Sequence, residues 1–467
     1  MTGDAVRLPD EIAVINIGLP LFADAIRDQG RPVQQLDWRI PAGGDADTVA
    51  ALERLYSSES IDRANAEVLR RLDDGVPVLV DIATARDVLP GLAERTLLHC
   101  GPAIEWGAVC DPLRRSMRAA AVAEGWASEV DQADRLLSDG RVRLAPASDH
   151  ATVVPMATAM GPSTPVFVVD NRRGGTRAFA PINQGPGETA WFGRETPAAI
   201  ARLEFLRDVA APALRQVIGA AGPLDVLALA AQGVQIGDDI HMRTQGTTNL
   251  LIRNLLPHLA ALPGPERVEL ARFLSGNHLF FLNLAMAAAR SLTMAAEQVD
   301  GSSLVTTMCR NGTTFGIRLA GNDTLFVGDA PRVEDAMYYP DYGPDDGAPD
   351  IGDSAVLELI GLGGAAAAGS PAVAGFLGGR MSDAMAVTED MALICAGKSG
   401  RFQLPTWDYR GTPLGVDARH VVALGITPKI TTGILHASSG VGQIGAGVAK
   451  APIVCFLSAV RALAFDA

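Results

Sequence analysis

Aromatic side chains make up only 5 % of this 467-residue chain, and lysine and arginine (39) are outnumbered by aspartate and glutamate (53). Few flat rings leave little for sequence-independent stacking on bases, and a formal net charge of −14 opposes nucleic acid and anionic lipid surfaces as partners. The five cysteines, Cys100, Cys110, Cys309, Cys395 and Cys455, are odd in number, scattered, and without C-x-x-C spacing. They offer no disulfide framework and no zinc ligand set, and they suit a reducing compartment. The opening MTGDAVRLPDE has neither a basic start nor an apolar run, so a cytoplasmic protein without a secretory signal is expected. No G-x-x-x-x-G-K-[ST] loop, G-x-S-x-G elbow or H-E-x-x-H pair occurs, which removes P-loop, serine-hydrolase and zinc-protease signatures. Two apolar stretches, starting at His278 and Ala355, carry Asn283, Arg290, Glu358 and Pro371. They read as buried helices and glycine-rich turns, and no membrane association is expected.

What is present is an apolar-rich chain, 48 % hydrophobic, long enough for about two to four domains. Residues 1–150 alternate short apolar runs (EIAVINIG, RPVQQLDW, VPVLVDIA, RTLLHCGP, RVRLAPAS) with amphipathic stretches such as LPLFADAIRDQG and ANAEVLRRLDDG. That alternation predicts an α/β fold that begins with a Rossmann-like, doubly wound parallel sheet. Ligands of such sheets sit beyond the strand ends, here Asn16–Leu19 and the loop from Asp37 to Gly44. An α+β segment over 151–220 follows, with a long helix from Ala198, then a helical domain over 221–299. An α+β domain with Gly-rich loops closes the chain over 300–467.

Near the C-terminus, HASSGVGQIGAG places Gly440, Gly442 and Gly445 in the G-x-G-x-x-G spacing, with Gly447 beyond. The dinucleotide fingerprint needs a second strand and an acid about 20 residues on. Only 22 residues (446–467) remain and the acid in reach is Asp466, so a dinucleotide is excluded. The glycines retain two readings, close backbone packing or a cradle of N–H groups for an anion. QIGDDIHMRTQGTTN, if helical, sets Asp238, His241 and Gln245 on one face with Arg243 beside them, a carboxylate–histidine pair next to an anion-holding guanidinium. The bland reading is a polar interdomain face. MCRNGT offers Arg310 and Asn311 either as anion ligands or as a hairpin turn. His150 and His436 are lone histidines. Five aspartates from Asp341 to Asp353 form either a solvated loop or a divalent-cation site, without the EF-hand pattern.

VINIGLPLFADAIRDQGRPVQQLDWRIPAGGD, GSSLVTTMCRNGTTFGIRL, PDIGDSAVLE and ITPKITTGILHASSGVGQIGAG, in that order, resemble the YlbE/AllG-like bacterial family over nearly the whole chain. The resemblance implies a subunit of a carbamoyltransferase that acts with an FdrA-like subunit and a third subunit. The implied reaction is phosphorolysis of an N-carbamoyl (ureido) acid such as oxalurate, with phosphate as co-substrate and carbamoyl phosphate as product. The alternative is a non-catalytic docking subunit of an FdrA-like complex, and self-association is compatible with either. Under the first reading His241, Asp238 and His436 carry acid–base or orienting work. Arg310, Asn311, Arg243 and the Gly440–Gly447 turn hold phosphate or carboxylate, and Asp350, Asp353 and His150 organise the site or a cation. Met242 and Ala437 depart from the family pattern, which has a polar and a basic residue there.

Overall fold

The computed structural model describes residues 14–36 and 40–466. At its start the strand Val14–Ile17, the helix Pro20–Asp28 and the strand Val33–Leu36 form a parallel β-α-β unit whose two strands make a sheet of their own. Proline at the first helical position presets the dihedral angle there, and Gly30 takes a left-handed conformation after the last turn. Asp37–Arg39 of the expected ligand loop lie outside the described residues.

The helices Ala46–Tyr56 and Glu59–Asp74 lead into the body. Asp45 caps the first of them by accepting the Thr48 N–H at 2.8 Å. Two large cores follow. In the first, the strands Thr176–Pro181, Pro165–Asn171, Pro77–Thr84 and Leu224–Asp225 form an antiparallel sheet in that order. The helix Phe280–Ala296 packs on this sheet, with every residue but Met294 buried. That helix is the apolar stretch that starts near His278. Among the described residues no single helix is long and apolar enough to cross a membrane. In the second core the helix Ile453–Asp466 packs Phe456 and Val460 among buried residues of two further sheets. One runs Phe326–Asp329, Thr314–Leu319, Val305–Asn311, Ile351–Gly352; the other runs Asp335–Tyr338, Gln443–Lys450, Lys429–Leu435.

The apolar runs of the first 150 residues are strands as expected, but they do not assemble into one doubly wound sheet. Val14–Ile17 pairs only with Val33–Leu36, and Thr96–His99 pairs in parallel with Arg143–Pro146. Pro77–Thr84 instead runs antiparallel to Pro165–Asn171. A strand buried on both faces has the same unbroken apolar pattern in either orientation, so the pattern is silent on direction. The stretch 236–244 is a loop between the helices Val226–Gln235 and Gln245–Ala261, not the helix that would align Asp238, His241 and Gln245. The long helix from Ala198 is present, with one π-turn at Leu206–Ala210 between Pro197–Phe205 and Ala211–Ala221.

The two cores meet where backbone lies on backbone. Gly101 has φ +75°, and a β-carbon there would sit 2.5 Å from the carbonyl carbon of Arg310 and from the amide nitrogen of Asn311. Gly101→Ala is therefore expected to lower unfolding stability by about 3 kcal/mol through strain and overpacking together. Urea denaturation midpoints check this, and a loss within error of zero would contradict the close approach.

Candidate functional site

The loop that carries His241 is held by its own acids. Asp239 Oδ1 accepts the backbone N–H groups of His241, Met242 and Arg243 at 3.3, 3.1 and 2.7 Å, and Asp239 Oδ2 accepts the Thr431 hydroxyl at 2.9 Å. Ile240, fully buried, is bent to φ +65°, a conformation that costs a β-branched residue strain and persists only where its surroundings enforce it. The tight turn aims the imidazole inward. Its Nδ1 lies 2.7 Å from Glu358 Oε1, which also accepts the N–H groups of Gly364 and Thr431 at 3.1 and 3.2 Å. Glu358 Oε2 is buried with no hydrogen-bond partner among the described residues.

With Nδ1 committed to Glu358, Nε2 is the ring nitrogen left for an occupant of the small cavity that His241 lines. The cavity holds about 40 Å³ and has three further polar walls, Ser354, Thr432 and Gln443. Met156, Trp191, Phe192, Met242, Leu279 and Leu282 form most of the apolar remainder. Met156 is itself at φ +48°, so backbone strain flanks the cavity on two sides. Behind the polar walls Arg310 and Asp350, both fully buried, meet at 2.7 Å. Asp350 Oδ1 accepts the Thr432 hydroxyl at 2.8 Å, Arg310 donates to the Gly352 carbonyl at 2.8 Å, and its remaining arm reaches Ser354 Oγ at 3.4 Å. Burial opposes the Arg310 charge, yet Asp350 and the more distant Glu358 and Asp353 lift its pKa above the ordinary value.

Several expected site residues are engaged elsewhere. Asp238 does not face His241: its carboxylate accepts the Thr247 N–H and hydroxyl at 2.7 and 2.8 Å and caps the start of the next helix. Burial raises its pKa against those bonds. Glu358 takes the role expected of it. Arg243 lies 3.5 Å from Asp238 and donates to the Gly237 carbonyl. Asn311 closes the hairpin after Arg310 by accepting the N–H groups of Thr313 and Thr314 at 3.0 and 2.7 Å. His150 Nδ1 bonds the Pro90 carbonyl at 2.7 Å, and His436 Nδ1 accepts the Ser438 and Ser439 N–H groups at 3.2 Å. Cys309 is buried, and burial pushes its thiol well above the ordinary range.

The glycine motif is a hairpin tip and a strand. Gly440 and Gly442 sit in the turn between Lys429–Leu435 and Gln443–Lys450, with Arg115 and Arg194 donating to the Ser438 and Val441 carbonyls. Gly445 and Gly447 are ladder residues. A β-carbon on them would fall 2.7 Å from the Met337 carbonyl oxygen and 2.4 Å from that of Asp335. Of the two readings offered by the sequence, close packing accounts for these two positions.

Of the expected residues, then, His241 lines the cavity, and Arg310 and Asp350 support its wall. Glu358, Ser354, Thr432 and Gln443 were not singled out by motif. Among the described residues no three His, Cys, Asp or Glu side chains converge as a metal ligand set.

Comparison with known proteins finds relatives of the chain. Residues 142–354 match the family model described as oxamate carbamoyltransferase subunit AllG. The chain is 37 % identical to the Escherichia coli (strain K12) oxamate carbamoyltransferase subunit AllG over 410 residues, 87 % of this chain and 98 % of that protein. It is 34 % identical to the uncharacterized protein YahG of the same organism over 453 residues, 96 % of each. A crystal structure of a conserved protein of unknown function from Enterococcus faecalis V583 superposes with a TM-score of 0.85 at 33 % identity. That match covers 88 % of this chain and 98 % of that one.

Asp353 supplies a pH test of the junction beside the cavity. Its oxygens accept the Gly101 and Val154 N–H groups at 2.8 and 3.0 Å, and burial still pushes its pKa up to about 7. An unfolded aspartate ionises near 3.9, so between about pH 4 and 7 the folded chain keeps a proton that the unfolded chain has lost. Stability from this group is full below that window and lost as pH rises through about 7. The expected slope is a loss of roughly 1.4 kcal/mol per pH unit inside the window and none above it. Denaturation midpoints of Asp353→Asn, compared with the parent from pH 5 to 8.5, should lack that component. Parallel curves would contradict it.

Proposed function

The chain belongs to the AllG family of oxamate carbamoyltransferase subunits, and from that premise we propose that it handles the carbamoyl centre in the phosphorolysis of an N-carbamoyl acid such as oxalurate. The observation that carries the reading is the His241 ring, pinned through Nδ1 to buried Glu358 with Nε2 left for the cavity. In this reaction a phosphate oxygen attacks the carbamoyl carbon and gives a tetrahedral centre, and the carbon–nitrogen bond to the leaving amide then breaks. His241 takes the proton of the attacking hydrogen phosphate and returns it to the departing nitrogen, so carbamoyl phosphate and an amide acid leave with no net proton change. Glu358 fixes the tautomer and stabilises the imidazolium between the two transfers. Ser354, polarised by Arg310, donates its O–H to the oxygen that becomes negative. Phosphate serves as co-substrate, and an FdrA-like subunit with a third subunit completes the assembly.

A second reading, that the chain docks a catalytic partner, is favoured by the N-terminal β-α-β unit. Ile15, Ile17, Leu21 and Phe22 there are each 59 % exposed or more, while Asn16 and Gln35 bond to each other at 2.6 Å on the more buried face. Inverted amphipathicity of this kind marks a surface made to be covered.

The two readings separate on one experiment. The chain is assembled with its FdrA-like and third subunits, and carbamoyl phosphate formation from oxalurate and phosphate is followed through carbamate kinase. His241→Ala is expected to lower turnover by about a hundredfold or more while the assembly stays intact. Near-normal turnover in a folded, assembled His241→Ala enzyme would sink the catalytic reading and leave docking.

A further inference from the structure

We infer that the His241 cavity recognises the uncharged primary carbamoyl head, –CO–NH2, of its substrate, and that the carboxylate of the acid and the phosphate stay at its mouth, from which one phosphate oxygen reaches the carbamoyl carbon and His241. The inference takes from the proposed function only that this cavity is the reacting one.

Size is the first argument. A water-sized group needs about 10–15 Å³ of such space. The cavity of about 40 Å³ therefore admits about three such groups, and the N–C=O unit has three non-hydrogen atoms.

Charge is the second. Among the described residues no aspartate, glutamate, lysine or arginine lines the cavity. The cation nearest behind it, Arg310, is fully buried and matched by Asp350, with Ser354 standing between it and the cavity. A substrate carboxylate or phosphate inside these walls would lose its hydration without facing a lysine or arginine free of its own acid. The guanidiniums around the neighbouring hairpin are likewise engaged, Arg194 with Glu188 and Arg115 with Asp111 and Glu195.

The hydrogen-bonding complement is the third and decides the head group. Ser354 Oγ accepts from Arg310, so its O–H is free to donate. The Thr432 hydroxyl hydrogen goes to Asp350, so its oxygen is left to accept. His241 Nε2, with Nδ1 given to Glu358, is the second acceptor, and Gln443 Nε2, which gives one hydrogen to the Gly445 carbonyl at 3.1 Å and lies beside Gly433, keeps its other hydrogen as a second donor. Two donors and two acceptors match the two lone pairs of one carbonyl oxygen and the two hydrogens of an NH2 group. A carboxylate, with two acceptors and no hydrogen, matches neither acceptor. Gly433 completes the fit, because a β-carbon there would stand 3.1 Å from Gln443 Nε2 and 3.2 Å from Met156 Cε, inside the space the head group needs.

The test uses the full chain and N-methylurea, read through the indole N–H resonance of Trp191, which lines the cavity. A saturable shift is expected with N-methylurea and none with acetone, which keeps the carbonyl and lacks N–H. Acetate and inorganic phosphate should fail to displace it. Gln443→Leu and Gly433→Ala should each weaken binding by about tenfold or more, one by removing a donor and the other by filling space. Both variants are checked for folding by their remaining tryptophan resonances. Displacement by acetate or phosphate, parent-like binding by both variants, or no response to N-methylurea overturns the inference. N-methylurea binding as expected, in an assembly that makes no carbamoyl phosphate, would remove the reaction and keep the recognition. His241-dependent turnover by a chain that ignores N-methylurea would do the reverse.

Discussion

Arg310 and Asp350 meet at 2.7 Å with no exposed surface on either side chain. Two charges so deep cost several kcal/mol of hydration, and they persist because every remaining arm is occupied. Arg310 reaches the Gly352 carbonyl and Ser354, and Asp350 takes the Thr432 hydroxyl and the Ile351 N–H. Because Arg310 belongs to one sheet of the second core and Thr432 to the other, the pair locks the two sheets in register. It also fixes the two hydroxyls that face the cavity. A supporting shell that leaves its side chains one satisfied orientation is what pre-organises a binding site. Loss of either partner would strand a buried charge, and the walls of the cavity would be the first to move.

The histidine depends on a second, separate set of acids. Asp239 shapes the backbone by gathering three successive N–H groups, and Glu358 aims the ring that this turn presents. Thr431 joins the two, since its hydroxyl bonds Asp239 and its N–H bonds Glu358. Thr432, the next residue, belongs to the Arg310 network. Neighbouring residues of a single strand thus hold both halves of the site, which is why a loop with Ile240 at φ +65° can be held against its strain.

Local structure was legible from local pattern. The apolar spacing from Ala198 to Ala221 gives its helix, and the runs on either side of Asn311–Gly312 give a hairpin. Pairing was not, because VPVLVDIA, apolar but for Asp81, carries no mark of its partner's direction. The site divides the same way. His241 stood out as a histidine in a polar run, but its carboxylate lies 117 residues away, and the nearby Asp238 was the plausible local choice. Glu358 left a signal, a lone acid in an otherwise apolar Gly/Ala-rich stretch. A buried charge of that kind requires a partner even when the sequence does not name it. The glycine spacing could not decide, because close strand approach and an anion turn both call for a missing β-carbon.

The N-terminal unit and the cavity make complementary demands. The cavity, as inferred above, takes a small neutral group, and among the described residues no lysine or arginine lines it. The proposed reaction between a carboxylate-bearing acid and phosphate would bring several negative charges together, on a chain whose own net charge is −14. Cationic groups must meet those charges for the encounter to be favourable. The arginines nearest the site are each held by an acid of the chain. Meanwhile a two-stranded parallel ribbon turns Ile15 and Ile17 outward, although parallel sheets are stable when both faces are covered. On the proposed reading, association would meet both demands at once, with one partner surface covering the ribbon and another bringing positive charge to the mouth of the cavity.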